Sequence, residues 1–107
     1  MIPLQTQEQF EQLLGRAYSE KPVPTFSIIY FTANWCGACK RLDLPLILAA
    51  APGATWFKCD IDKNDYTAGY CGIRSIPTFL VIQNGKVMGT LGESRTELVV
   101  EWLKRFV

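Results

Sequence analysis

The 107-residue sequence predicts a single α/β domain in which a mixed sheet of four or five strands is flanked by helices on both faces. Three observations carry that expectation. Residues 25–32 form a nearly continuous apolar and β-branched run, the mark of a strand buried on both faces. Asn84-Gly85 lies between two further apolar runs and signals a hairpin, so the last two strands are antiparallel. Apolar residues at helical spacing precede the first run, separate the strands and close the chain. A chain of this size supports one core burying roughly two thirds of its unfolded surface, so residues 1–107 are expected to be one domain, with no repeat, linker or low-complexity tract.

Each element has its own local signal. Thr6-Gln7-Glu8-Gln9 has capping-box form, and Phe10, Leu13, Leu14 and Ala17 follow on one helical face. Lys21-Pro22-Val23-Pro24 breaks that helix and introduces the strand at 25–32. Leu42, Leu44, Leu46, Ile47, Leu48 and the alanines to Ala51 read as a helix that kinks or restarts at Pro45 and stops at Pro52-Gly53. A strand is expected at 54–60, a short helix at 64–70, and a turn at 72–77. Residues 78–83 and 86–91 flank the hairpin turn. Ser94-Arg95-Thr96-Glu97 again has capping-box form, leading a helix whose Leu98, Val99, Trp102, Leu103 and Phe106 share one face.

Composition narrows the function. Eleven basic and ten acidic side chains give a formal charge of +1, which leaves no footprint for nucleic acid or an anionic membrane. No apolar run approaches the roughly 20 residues that cross a bilayer, and Met1-Ile2-Pro3-Leu4-Gln5 lacks the charged and apolar regions of a secretory signal. The expectation is a soluble, monomeric protein of a reducing intracellular compartment, cytoplasmic or, if a transit peptide has been removed, mitochondrial. Its partners are expected to be proteins or small molecules.

The run Trp35-Cys36-Gly37-Ala38-Cys39-Lys40 concentrates the covalent chemistry. It follows the apolar strand directly, and a helix opening just after Cys36 would set both thiols at its N-terminus. Unpaired backbone N–H groups there favour a thiolate and lower a cysteine pKa from its free value of about 8.5, which makes Cys36 a candidate nucleophile. The four cysteines fit three other uses less well. A disulfide framework is unneeded in a chain with ample apolar residues. A structural zinc site lacks histidine and a second close pair, since Cys59 and Cys71 stand 12 apart. An iron–sulfur centre shared between chains would rest on the two close thiols alone. No metal or cofactor is expected.

Trp35-Cys36-Gly37-Ala38-Cys39-Lys40, Ile73-Arg74-Ser75-Ile76-Pro77-Thr78, and then Asn84-Gly85 and Gly92 together resemble the thioredoxin family, in the family's element order and over nearly the whole chain. The resemblance implies a thioredoxin fold and a thiol-disulfide oxidoreductase. Cys36 would be the exposed nucleophile that forms a mixed disulfide with a protein client, and Cys39 would resolve it. Pro77 matches the family's cis-proline, which leaves the backbone of Ile76 free to pair with an extended client segment. Trp35, Ile76 and Gly92, with Ile73 nearby, match the apolar groove round the nucleophile, suited to disulfide-containing or partly unfolded proteins. An upstream reductase or a low-molecular-weight dithiol would restore the pair.

The departures from the family pattern are as informative. Tyr30 stands where thioredoxins bury an aspartate six residues before the nucleophile, and a phenol is a poor base at pH 7. Lys58 matches that aspartate's usual partner. Left without its anion, Lys58 must reach solvent, lose its charge, or donate to Tyr30 or a backbone carbonyl. Ala38 replaces the usual proline between the cysteines, which restores an N–H donor and is expected to give a less reducing couple. Thr32, at a position commonly aromatic, trims the apolar wall. Slow resolution through Cys39 is therefore expected, and the alternative is a redox-regulated chaperone or adaptor that uses the groove to bind clients. Cys59 reads as an inert core thiol, whereas Cys71, just before the 72–77 turn, is a candidate regulatory thiol.

Overall fold

Side chains of β2 (Phe26–Thr32) alternate between two apolar clusters, and this alternation organises the molecule. Ile28 and Tyr30 join one cluster, while Ile29 and Phe31 join the other. The computed structural model describes all residues 1–107. Its five-stranded sheet has the order β1-β3-β2-β4-β5, with β1 (Ile2–Pro3), β3 (Thr55–Asp60), β4 (Thr78–Gln83) and β5 (Lys86–Gly92). β2 runs parallel to β3, which runs parallel to β1; β2 is antiparallel to β4, and β4 to β5. The sheet therefore has five strands, and the expected antiparallel end is present.

Helices α1 (Gln7–Leu13) and α4 (Asp65–Tyr70) cover one face, burying Phe10, Leu13 and Ala68 against Phe31, Phe57, Cys59 and Leu80. Helices α2 (Gly37–Lys40), α3 (Leu44–Ala50) and α5 (Thr96–Leu103) cover the other, where Cys36, Cys39, Ile47, Val99 and Leu103 meet Tyr30, Trp56, Phe79 and Val81. A short 3-10 turn (Lys104–Phe106) ends the chain. Its Phe106 stacks edge-on with Trp102 at 5.0 Å over β5. Gly89 makes room for them, since a Cβ there would sit 3.3 Å from Trp102. The hairpin turn has Asn84 at φ 52° and Gly85 at φ 77°, the two positive angles of a type I′ turn. No helix is long and apolar enough to cross a membrane.

Several boundaries differ from the sequence expectation, each for a local reason. The β1 strand was not anticipated. It is two residues long and is held by parallel pairing of Ile2 with Phe57 and Pro3 with Lys58, so it leaves no alternating pattern to read. Helix α1 stops before Ala17, because Gly15 takes φ 73° and the N–H groups of Gly15 and Arg16 bond back to the carbonyls of Gln12 and Glu11, a Schellman close. The helix after the cysteines restarts instead of kinking. Asp43 caps α3 through the Leu46 N–H, with Pro45 in its first turn.

The two capping boxes fare differently. At Thr6 the hydroxyl accepts from the Gln9 N–H while the Gln9 side chain accepts from the Thr6 N–H. At the last helix the N-cap is Arg95, with no side-chain cap bond, so the Ser94 box is not formed. Glu93 occupies the backbone N–H groups of Ser94 and Arg95 and pairs with the Arg95 guanidinium, and the Thr96 hydroxyl accepts from Asp43. Thr6→Ala should therefore lower unfolding free energy by about 1 kcal/mol, whereas Ser94→Ala should stay within about 0.5 kcal/mol. Urea denaturation of both variants checks the pair, and equal losses would contradict the assignment.

Candidate active site

β2 is the central strand and is buried from Ser27 to Thr32, and the chain after it reaches the surface at Asn34 and Trp35, so those residues are presented at one end of the sheet on a rigid support. A tight turn follows, in which the Cys36 N–H donates to the Ala33 carbonyl at 3.1 Å. Cys36 then serves as the N-cap of α2, its Sγ accepting the Cys39 N–H at 3.1 Å. Cys36 and Cys39 form a disulfide, with Cα atoms 5.3 Å apart. The sulfur thus takes the place that Ser, Thr or Asp takes at an ordinary cap. That bond favours the charged form of the thiol once the pair is reduced.

Cys36 is not the exposed residue that the resemblance implies. In the oxidised pair Cys36 is 4 % exposed and Cys39 6 %, so accessibility does not distinguish them. Both are drawn into the cluster of Tyr30 and Phe79, with Ala38 and Ile76 packed against it. What separates them is position, Cys36 at the cap and Cys39 inside the helix. Gly37 and Ala38 fill the turn between them, and a Cβ on Gly37 would meet only Arg41, at 3.9 Å.

Trp35, the neighbour of Cys36, and Ile76, which packs on the cluster that holds both cysteines, line an apolar groove of about 270 Å³ together with Ile61, Ile73, Arg74 and Ser75; the cysteines themselves do not line it. Trp35 is 66 % exposed. Its ring is held by an Nε1–H bond of 2.9 Å to the Asp62 carboxylate, so the residue forms the groove wall and is no part of the core. Sequence reasoning missed Asp62, which sits among Asp60, Asp62 and Asp65 with no spacing to single it out. The Ile76–Pro77 peptide is cis. The turn before β4 is closed by the Thr78 hydroxyl donating to the Ser75 carbonyl at 2.6 Å. Gly92 lies opposite Thr78, and a Cβ there would come within 3.3 Å of the Ser75 Oγ and 3.4 Å of the Thr78 Oγ1, so a side chain at this position would have to displace those hydroxyls by a few tenths of an ångström.

Tyr30 is 2 % exposed and stacks on Phe79, the ring centroids 5.1 Å apart at 18°. Burial raises its phenol above the ordinary value of 10, against a smaller lowering by the Thr32 hydroxyl. It is neutral at physiological pH and cannot act as a base there. Lys58, opposite Tyr30 in the β2–β3 register, is exposed and enters no ion pair. Of the three fates open to it, solvent exposure is the one realised.

The other two thiols lie away from the pair. Cys59 is fully buried, its Sγ donating to the Asn64 carbonyl at 3.7 Å. Burial first, then Cys71 and Asp60, push its thiol up to about 12. Cys71 is half-buried at the C-cap of α4, where Gly72 at φ 71° ends the helix, and it does not line the groove. Burial first and then Glu11 push its thiol up to about 11, the wrong direction for a reactive cysteine.

Comparison with known proteins agrees with this geometry. The thioredoxin family model matches residues 2–105. The thioredoxin of the sponge Geodia cydonium is 34% identical over 96 residues, 88% of this chain and 86% of that protein. Thioredoxin 2 of Chlorobaculum tepidum is 44% identical over 66 residues, 58% of this chain and 60% of that protein. Among solved structures, the oxidised mitochondrial thioredoxin 3 of Saccharomyces cerevisiae superposes with a TM-score of 0.82 at 24% identity, over 99% of this chain and 95% of that one.

The thiol environments predict a labelling order. In a Cys36→Ser/Cys39→Ser variant, iodoacetamide should leave Cys59 untouched until the protein unfolds. Cys71 should react slowly at pH 7, its rate rising about tenfold per pH unit towards its midpoint near 11. Peptide mass spectrometry resolves both sites, and alkylation of Cys71 at the pace of a free cysteine would contradict the assignment.

Proposed function

The chain belongs to the thioredoxin family and is a thiol-disulfide oxidoreductase with Cys36 and Cys39 as its redox pair, and from that premise we propose that it reduces protein disulfides with a slowed resolving step. The Cys36 thiolate attacks one sulfur of a client disulfide, forming a mixed disulfide and releasing the first client thiolate. The Cys39 thiolate then attacks the Cys36 sulfur, closing the Cys36–Cys39 bond and releasing the second. Two electrons pass from the dithiol to the client, whose two thiolates take up protons from water. An upstream reductase or a small dithiol returns the pair to its reduced form.

The observation that carries this reading is the placement of the disulfide at the first turn of α2, beside a groove with an exposed tryptophan. The groove is apolar and takes an extended segment, the form in which a partly unfolded client presents its cysteines. Ile76 lines the groove, and the cis peptide joins it to Pro77. Resolution is the weak step because Tyr30 holds its proton where the family places a carboxylate. Ala38 between the cysteines supports a less reducing couple. A reducing compartment suits the reaction, and among similar proteins one is named as a mitochondrial and another as a chloroplastic thioredoxin.

The same groove supports a second reading, a chaperone or adaptor whose client binding is switched by the disulfide, favoured by the 66 % exposure of Trp35. Insulin reduction by excess dithiol separates the two. Turnover above the dithiol background, abolished in Cys36→Ser and raised about tenfold or more in Tyr30→Asp, is the expected result. Turnover at background, with client binding retained in Cys36→Ser/Cys39→Ser, would establish the binding module instead.

A further inference from the structure

A second cleft, of about 200 Å³ and open to solvent, is lined by Cys39 and shares no residue with the groove. Its walls include Tyr30, Asn34, Cys39, Lys40 and Lys58, and no carboxylate. The titratable groups that line this cleft with Cys39 come from three elements: Tyr30 on β2, neutral and stacked on Phe79; Lys58 on β3; and Lys40 on α2 itself. Neither lysine is paired with an acid. Asp43 is engaged in capping α3, and Asp60 lines the adjoining cleft, where it accepts the Asp62 N–H. The resolving sulfur therefore borders a water-accessible space that carries two ammonium groups and no base.

We propose that this chain activates Cys39 by electric field instead of by a buried base: Lys58, assisted by Lys40, stabilises the Cys39 thiolate, and the proton leaves through the cleft to water. The proposal rests on the oxidoreductase reading above and assigns Lys58 as a positioning residue for its second step. A cation bordering a thiol favours the ionised form, and because both lysines are exposed the effect is one that salt screens. Lys58 is the lysine that β3 sets directly opposite Tyr30, the residue standing where the resemblance places a base. Proton balance is simple: Cys39–SH gives its proton to water, the thiolate attacks the Cys36 sulfur, and the departing client thiolate is protonated from solvent.

Stopped-flow reaction of the reduced protein with dithiodipyridine, an uncharged aromatic disulfide, tests this directly. The first release of thiopyridone reports attack by Cys36 and the second reports resolution by Cys39. In Lys58→Gln the ratio of second- to first-phase rate at pH 7 should fall about three- to tenfold, with the pH midpoint of the second phase moved up by about 0.5–1. Lys58→Arg should restore both, and added salt should narrow the difference between Lys58→Gln and wild type. An unmoved midpoint in Lys58→Gln, or equal slowing of both phases, overturns the proposal. Absence of any second release in the wild type would instead refute the oxidoreductase reading itself.

Discussion

Phe31 lies opposite Thr78 in the antiparallel register of β2 and β4, and the active site follows from that pairing. The C-terminal end of β2 is thereby laid beside the N-terminal end of β4. The loop that leaves β2 carries Trp35 and Cys36, and the turn that enters β4 carries Ile76 and Pro77. Residues some forty positions apart thus meet at one end of the sheet. Their placement is only as firm as β2, which is buried along Ser27–Thr32 and bonded to a strand on either side. Gly92 brings β5 into the same site, where a Cβ would lie only 3.3 Å from the Ser75 hydroxyl.

On this scaffold the chemistry is divided between two sides of one short helix. Cys36 occupies the cap, where a directed N–H bond stabilises a thiolate; four residues of helix supply little macrodipole, so the bond itself matters more. Cys39 faces the cleft of Tyr30 and Lys58. Replacing a buried carboxylate by tyrosine removes a base and, with it, the partner that would hold the lysine inward. Lys58 then extends to solvent, which avoids the cost of an unpaired buried ammonium. The two departures thus belong together.

Much of this was legible in the sequence because the signals were local. The β2 run, the Asn84-Gly85 turn and the Thr6 capping box each specify their geometry within a few residues, and the cysteine spacing marks the turn that joins them. The less legible features depend on tertiary neighbours. The pairing that makes β1 is supplied by β3. Ser94 fits a capping pattern, yet Glu93 claims the Ser94 N–H that the Glu97 side chain would have taken in the box. Asp62 acquires a role only through the indole it meets, and Cys36 loses its exposure only as a member of the packed cluster that includes Tyr30, Cys39 and Phe79. The polarity of Cys71, half-buried and facing Glu11, likewise depends on α1 lying across from α4.

The central claim is that the cap position makes Cys36 the ionised thiol of the pair. Thiolate absorbance of the reduced Cys39→Ser variant, followed against pH with Cys36→Ser as the reference, measures it most directly. A Cys36 midpoint at least about one pH unit below the free-cysteine value of about 8.5 is the expected result. A midpoint at or above that value, with Cys39 ionising first in the reference variant, would contradict it and make Cys39 the attacking group.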